Sequence, residues 1–246
     1  MHLANFPAPL ISADPHHERD HYSGRHYLAT GGWQTIQIIQ GLADLEFEEM
    51  VLSRFGPLVE LDNPAFIHDT VEIFGKAYIG EGVSIWPRVV IRAETSENII
   101  GPYSNLQDFV LVHIGSSKGT TIGAYCSITH KATVHGCTIG DNCLIGINAT
   151  VMDNVVIGDN CIVAGHSIVP EEAQIPANSI VAGVPGVVVK SRNNFVANRL
   201  NAFVYNYNGE AYTRGDYRAW DTEVFREAYA AEQASLEEEL AALEAH

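Results

Sequence analysis

The run "CTIGDNCLIGINATVMDNVVIGDNCIV", Cys137 to Val163, repeats every six residues. Ile139, Ile145, Val151, Ile157 and Val163 hold that spacing without a break. Two positions before each stands a small or β-branched residue: Cys137, Cys143, Ala149, Val155 and Cys161. A period of six excludes a continuous helix, whose repeat is 3.6. It suits a short strand and a turn, repeated. Residues two apart on a strand share a face, so the aliphatic and the small residue before it both point inward. Three such units close a triangular coil, and coils stack at the strand spacing of about 4.8 Å.

The period extends both ways. Upstream it runs through Ile67, Ile73, Ile79, Ile85 and Ile91, then Ile100, Leu106 and Val112, then Ile122, Ile128 and Val134. Downstream it continues through Val169, Ile175, Val181 and Val187. The joins are irregular: Ile91 to Ile100, Val112 to Ile122 and Val134 to Ile139 are not six apart. This is a hexapeptide-repeat signature, and it resembles the left-handed parallel β-helix. The hand comes from the resemblance, since the general preference for right-handed crossovers points the other way. The expected fold is mainly β: a left-handed parallel β-helix of hexapeptide repeats over residues 61–190, with C-terminal α-helices packed alongside.

The two ends lack the period. Residues 1–60 read as an N-terminal extension, partly irregular. Its stretch "GGWQTIQIIQGLADLEFEEMVLSRFG" predicts a strand and then a helix ending at Gly56, and His2, His16, His17, His21 and His26 read as part of a solvated arm. Residues 191–246 read as a helical segment. Phe225, Tyr229, Leu236, Leu240 and Leu243 lie on one helical stripe, expected to pack on the β-helix or on a neighbouring subunit.

Composition narrows the function. The 246 residues carry 14 basic and 30 acidic side chains, a net charge of -16, which disfavours nucleic acid or an anionic membrane as partner. No apolar run reaches membrane-spanning length, and the start has neither a basic nor an apolar signal region, so a cytoplasmic location is expected. All four cysteines, Cys126, Cys137, Cys143 and Cys161, take the small inward slot. They read as buried apolar side chains rather than as disulfides or thiolate ligands.

The register gives the histidines their places. His113 and His135 each follow an inward aliphatic by one residue, in units three apart, so they share an edge one coil apart and point outward. Arg92 extends that column. His130 is two past Ile128, on a different edge, one coil from Asp108. Two imidazoles about 4.8 Å apart at the backbone can converge on one metal ion. They need a third ligand, and a threefold ring that sets the His130 edge of one subunit against the His113/His135 edge of the next supplies it. Three nitrogens with one open position is the catalytic zinc pattern.

The segments "IRAE" (91–94), "NLQDFVLVH" (105–113) and "THKATVHGCTIGDNCLIGINATVMD" (129–153) resemble the γ-class carbonic anhydrases, in order and spacing, across residues 63–190. The resemblance implies a homotrimer that reversibly hydrates CO2 to bicarbonate. It implies His113, His130 and His135 as ligands shared between two subunits. The metal is then Zn2+, with Fe2+ or Co2+ suiting the same nitrogens. Gln107 matches a glutamine at the reactive water, Asp108 the acid beside it, Asn105 a structural residue, and Arg92 with Glu94 a pair bridging subunits. A C-terminal tyrosine often enters such sites, which nominates Tyr207, with Tyr205 beside it. The chain departs from the pattern at Glu94, which replaces an aspartate, and at Thr129, which replaces a glycine. It also lacks the acidic loop after His113, leaving His166, Glu94 or buffer to carry the proton. Two competing readings are a hexapeptide acyltransferase or thioesterase acting on acyl-CoA, and a non-catalytic metal-binding trimeric scaffold.

Overall fold

The structure, a computed structural model, describes residues 54–245. Three ladders of inward aliphatics run its length. On one face Ile73, Ile91, Val112, Val134, Val151 and Val169 pair coil to coil. On the second the ladder is Ile79, Ile100, Ile122, Ile139, Ile157 and Ile175. On the third it is Ile67, Ile85, Leu106, Ile128, Ile145, Val163 and Val181. All these pairings are parallel, so the chain forms a parallel β-helix. The small residues two positions earlier are buried beside the aliphatics in one continuous core. Each aliphatic removed from water contributes about 1.5–3 kcal/mol, and a register slip of one residue would turn the whole set outward.

The corners follow from the same period. The residue three before the aliphatic takes a left-handed backbone, with φ near 55–60° at Asn142, Asn148, Asn154, Asn160 and Asn178. Asparagine tolerates that conformation better than most residues. The three irregular joins all fall at the corner between the first and second faces. The strands Glu72–Ile79 and Val90–Ile100 turn it as single strands, with a register shift after Gly75. Gly75 has φ 81°, and a Cβ there would sit 1.7 Å from the Ala93 carbonyl oxygen, so only glycine fits.

The period ends one unit earlier than expected. Val187 is not an inward residue but 56% exposed. The chain reverses after Ala182, and Val187–Ser191 pairs antiparallel with Ser179–Ala182, closing the third face. The helix expected before Gly56 ends at Phe55, and Gly56 follows with φ 84°, the usual C-terminal glycine stop. The rest of that helix, the strand before it and the amino-terminal histidines lie outside the described residues.

Helix α1, Phe195–Thr213, lies along the third face. Gly209 makes the close approach possible: a Cβ there would stand 3.1 Å from the Cβ atoms of Phe66 and Ser84. Helix α2, Glu223–Glu244, starts at Thr222, whose side chain accepts from the Phe225 amide. Its apolar stripe packs mainly on α1 rather than on the β-helix. Leu236 is buried there and Leu243 is left exposed. The stripe is satisfied by the preceding helix because that helix already covers the open sheet face.

All four cysteines are free and buried, and burial pushes the Cys137 thiol up to about 12. A thiol kept from water and from the thiolate form does not react. Ellman's reagent should therefore label none of the four in the native protein and all four in denaturant. Labelling of any one at native stability would show that its slot opens to solvent.

Candidate metal centre

The first-face ladder places Arg92, His113 and His135 side by side on successive coils. Both histidines sit just before the irregular corner, and that corner is braced. The buried Asn98 side chain donates to the Arg92 carbonyl at 3.0 Å and accepts from the Thr120 amide at 3.1 Å. The Thr120 hydroxyl donates to the His113 carbonyl at 2.6 Å. These contacts hold the backbone at Arg92 and His113.

Each imidazole meets a carboxylate. His113 Nε2 lies 3.0 Å from Glu94, and His135 Nδ1 contacts Asp153. On the neighbouring edge His130 Nδ1 lies 2.9 Å from Asp108. A carboxylate takes the N–H of a neutral imidazole and leaves the other nitrogen with its lone pair. On the first edge those remaining atoms are His113 Nδ1 and His135 Nε2, and they face each other at 2.9 Å. Two lone pairs at that distance repel unless a proton or a cation lies between them. Two nitrogens bound at ~2.0–2.1 Å to one tetrahedral ion stand about 3.3 Å apart, so the rings need to open by only a few tenths of an ångström to share one. The donor set thus fits a metal of the imidazole-binding kind. Among the described residues no group of three ligand-type side chains within one chain is placed to hold a metal ion: the histidines divide two and one between different edges.

The other residues expected at the site are spread unevenly. Arg92 pairs with Glu94, which also contacts His113. Desolvation raises the Glu94 pKa, but the His113 hydrogen bond and the Arg92 charge outweigh it, and the net shift is downward. Gln107 does not project with the donors: it is buried under α1 and donates to Asn105 Oδ1 at 3.0 Å. Asn105 in turn donates to Ser127 Oγ at 2.9 Å. Thr129 is buried, and its hydroxyl donates to the Ile145 carbonyl at 2.7 Å, so it anchors the turn before His130. His166 is exposed at a left-handed corner, 3.4 Å from Asn148.

Tyr207 does not reach the histidines. It packs on Phe203 and Phe225 between the two helices. Tyr205, two residues away on the opposite side of α1, brings its hydroxyl within 3.4 Å of His130 Nε2. Burial, with help from Asp108, pushes its pKa up to about 12, so the hydroxyl keeps its proton at neutral pH and can donate. One contributor, Asp153, is not among the residues expected from sequence. Asp153 stands two past Val151, as Asp108 stands two past Leu106, and that recurrence was the available signal. Tyr205 could be chosen over Tyr207 only from the phase of α1 on the sheet.

The comparisons with known proteins point the same way. Residues 136–171 match the bacterial transferase hexapeptide (six repeats) family. A probable carbonic anhydrase of Methanocaldococcus jannaschii is 48% identical over 79 residues, covering 32% of this chain and 50% of that protein. The mitochondrial gamma carbonic anhydrase 1 of Arabidopsis thaliana is 31% identical over 152 residues, covering 54% and 55%. The chain resembles the γ-class carbonic anhydrases. It spans about half the length of these two curated relatives. A hexapeptide transferase family protein from Anaplasma phagocytophilum has the same fold, with a TM-score of 0.61 and 28% identity, over 64% of this chain and 94% of that one. The γ-class likeness accords with the histidine columns, and the transferase likeness accords with the coil that carries them.

Asp153 makes a direct test of the donor geometry. Asp153→Asn keeps the shape but removes the charge behind His135, and should weaken Zn2+ binding ~10–100-fold in a chelator competition. His166→Ala, on an exposed corner, should leave the affinity unchanged. Equal affinities for Asp153→Asn and the unaltered protein would mean that His135 does not bind metal.

Proposed function

We propose that this protein catalyses the reversible hydration of CO2 to bicarbonate, at metal sites shared between the subunits of a homotrimer. The observation that carries this reading is the facing pair of His113 Nδ1 and His135 Nε2, with their outer nitrogens on carboxylates. Those two nitrogens and His130 of the next subunit would hold the ion. Zinc suits three imidazoles with one position open, and iron(II) or cobalt(II) suits them as well. Bound there, the metal supplies a water activated at neutral pH.

The chain's own residues do the positioning. Asp153, Glu94 and Asp108 each hold one imidazole N–H, fixing ring angle and tautomer. Arg92 holds Glu94 against His113. Gln107, beneath α1, secures the strand that leads into Asp108. The Tyr205 hydroxyl is a donor beside His130, and the Trp86 ring behind it, 5.6 Å away, limits water on that side. Glu94 is a poor carrier for the released proton, since both its oxygens are engaged and its pKa is lowered. His166 or buffer is better suited.

Exposed apolar side chains support the assembly. Phe74, 51% exposed, stands in register with Arg92 at the first donor edge. Phe109 and Ile147, 57% and 48% exposed, flank His130 on adjacent coils. Burying both sets against each other is what a closed threefold ring would do. The transferase likeness favours a second reading, acyl transfer from acyl-CoA. That chemistry needs one general base and leaves the paired carboxylate-backed histidines without a task.

Subunit mixing tests the shared site. His130→Ala protein and His113→Ala/His135→Ala protein should each be inactive in stopped-flow CO2 hydration. Mixed by co-refolding at equal amounts, they should regain about a quarter of the sites, because every mixed trimer rebuilds one complete boundary. No recovery would exclude a site between subunits. Activity surviving in either variant alone would exclude the metal reading. Acyl-CoA turnover by metal-free protein would favour the transferase.

A further inference from the structure

The three corners of the coil are not equivalent. Two carry the donor histidines. The third, between the second and third faces, is lined along its length by residues with left-handed backbone: Asn63, Gly82, Tyr103, Tyr125, Asn142, Asn160 and Asn178. Five of these are asparagine or glycine, the types that tolerate the conformation. Tyr103 and Tyr125 break the rule on adjacent coils, with φ of 57° and 56°. Neither contributes to the β-helix core, because this position points outward. Arg88, Phe109, Lys131, His166 and Glu172 take the same conformation at the other two corners; what sets the tyrosines apart is that they are aromatic neighbours on adjacent coils.

The two rings stack at 5.3 Å and 8°. Arg199 of α1 lies on the stack, its guanidinium carbon 3.7 Å from the Tyr125 centroid. A guanidinium stacked on a ring keeps its N–H fork free in its own plane. Among the described residues Arg199 makes no ion pair and its side chain donates no hydrogen bond. It lines a cavity of about 220 Å³ with Tyr103, Tyr125, Phe203, Asn206 and Glu232. Glu232, from α2, faces the same space without pairing with Arg199. Asn206 donates to the Gly82 carbonyl at 2.8 Å, which fixes its amide and leaves Oδ1 as an acceptor.

The cavity therefore presents a forked cation donor at one point, a carboxylate and an amide oxygen at another, and aromatic wall between them. A dianion would meet Glu232, and a simple cation would meet Arg199. A molecule with one charge of each sign satisfies both. The volume lies below the ~300 Å³ at which drug-sized sites begin, which limits the occupant to a small molecule. We propose that this cavity binds a small zwitterion of the α-amino acid class, its carboxylate on Arg199 and its ammonium on Glu232 and Asn206. The site is separate from the metal-donor corners and does not depend on the carbonic anhydrase reading.

Calorimetry on the full chain tests it, with glycine, L-alanine and L-phenylalanine as zwitterions, 3-phenylpropionate as carboxylate alone and phenethylamine as ammonium alone. At least one amino acid should bind, and its singly charged analogues should bind tenfold or more weakly. Arg199→Gln and Glu232→Gln should each cost tenfold or more, and Glu232→Gln should shift preference towards 3-phenylpropionate. Tyr125→Asn restores the asparagine typical of its column. It should keep the circular dichroism of the β-helix and lose amino acid binding, which separates loss of the site from loss of the fold. The proposal is overturned if none of the three amino acids binds at millimolar concentration. It is also overturned if a singly charged probe binds as tightly as they do.

Discussion

Backbone hydrogen bonding between successive coils is the constraint on which everything else here depends. Each strand is only two or three residues long on most rungs, too short to be stable alone. It persists because its amides and carbonyls are paired above and below and its aliphatic is buried with both neighbours. A residue's address in the fold is thus its unit and its place within six. Side chains at the same place three units on are neighbours, whatever their type. That is how His113 and His135, far apart in sequence, come to share one edge.

This regularity explains what was legible in the sequence. The inward ladders, the histidine columns and the burial of the cysteines all follow from counting. The three histidines were separable into two edges because His130 is two past its aliphatic and the others one past. Counting fails where the coil ends or the partner is not a coil. Val187 keeps the spacing but follows a chain reversal, where a period carries no information. The stripe of α2 is real, but periodicity says only that a face is buried, not against what. Tyr205 and Tyr207 are distinguished by the rotation of α1 about its own axis. That rotation is fixed by the close approach of Gly209 to Ser84 and Phe66.

The histidine site is also an arrangement of acids. The chain has a large negative excess, and a few of those carboxylates do specific work behind imidazoles. Asp108 and Asp153 stand two past their inward aliphatics and Glu94 three past, yet each meets one ring. Their effect is to decide which nitrogen keeps its lone pair. On the first edge, with both outer N–H groups on carboxylates, the two remaining nitrogens stand face to face, a configuration that favours a proton or a cation between them. Electrostatics set by second-row residues thereby does what spacing alone cannot.

The irregular corner between the first and second faces has a further consequence. Insertions and a deletion are concentrated there, while the ladders on either side stay in step. A loop leaving a coil at a corner returns to the same rung, so its length is decoupled from the stack. Evolution can lengthen, shorten or recharge that loop, next to the paired histidines, without disturbing any inward residue. The rigid repeat and the variable rim are two outcomes of one geometry, and the surface at the rim can change while stability is conserved in the coil.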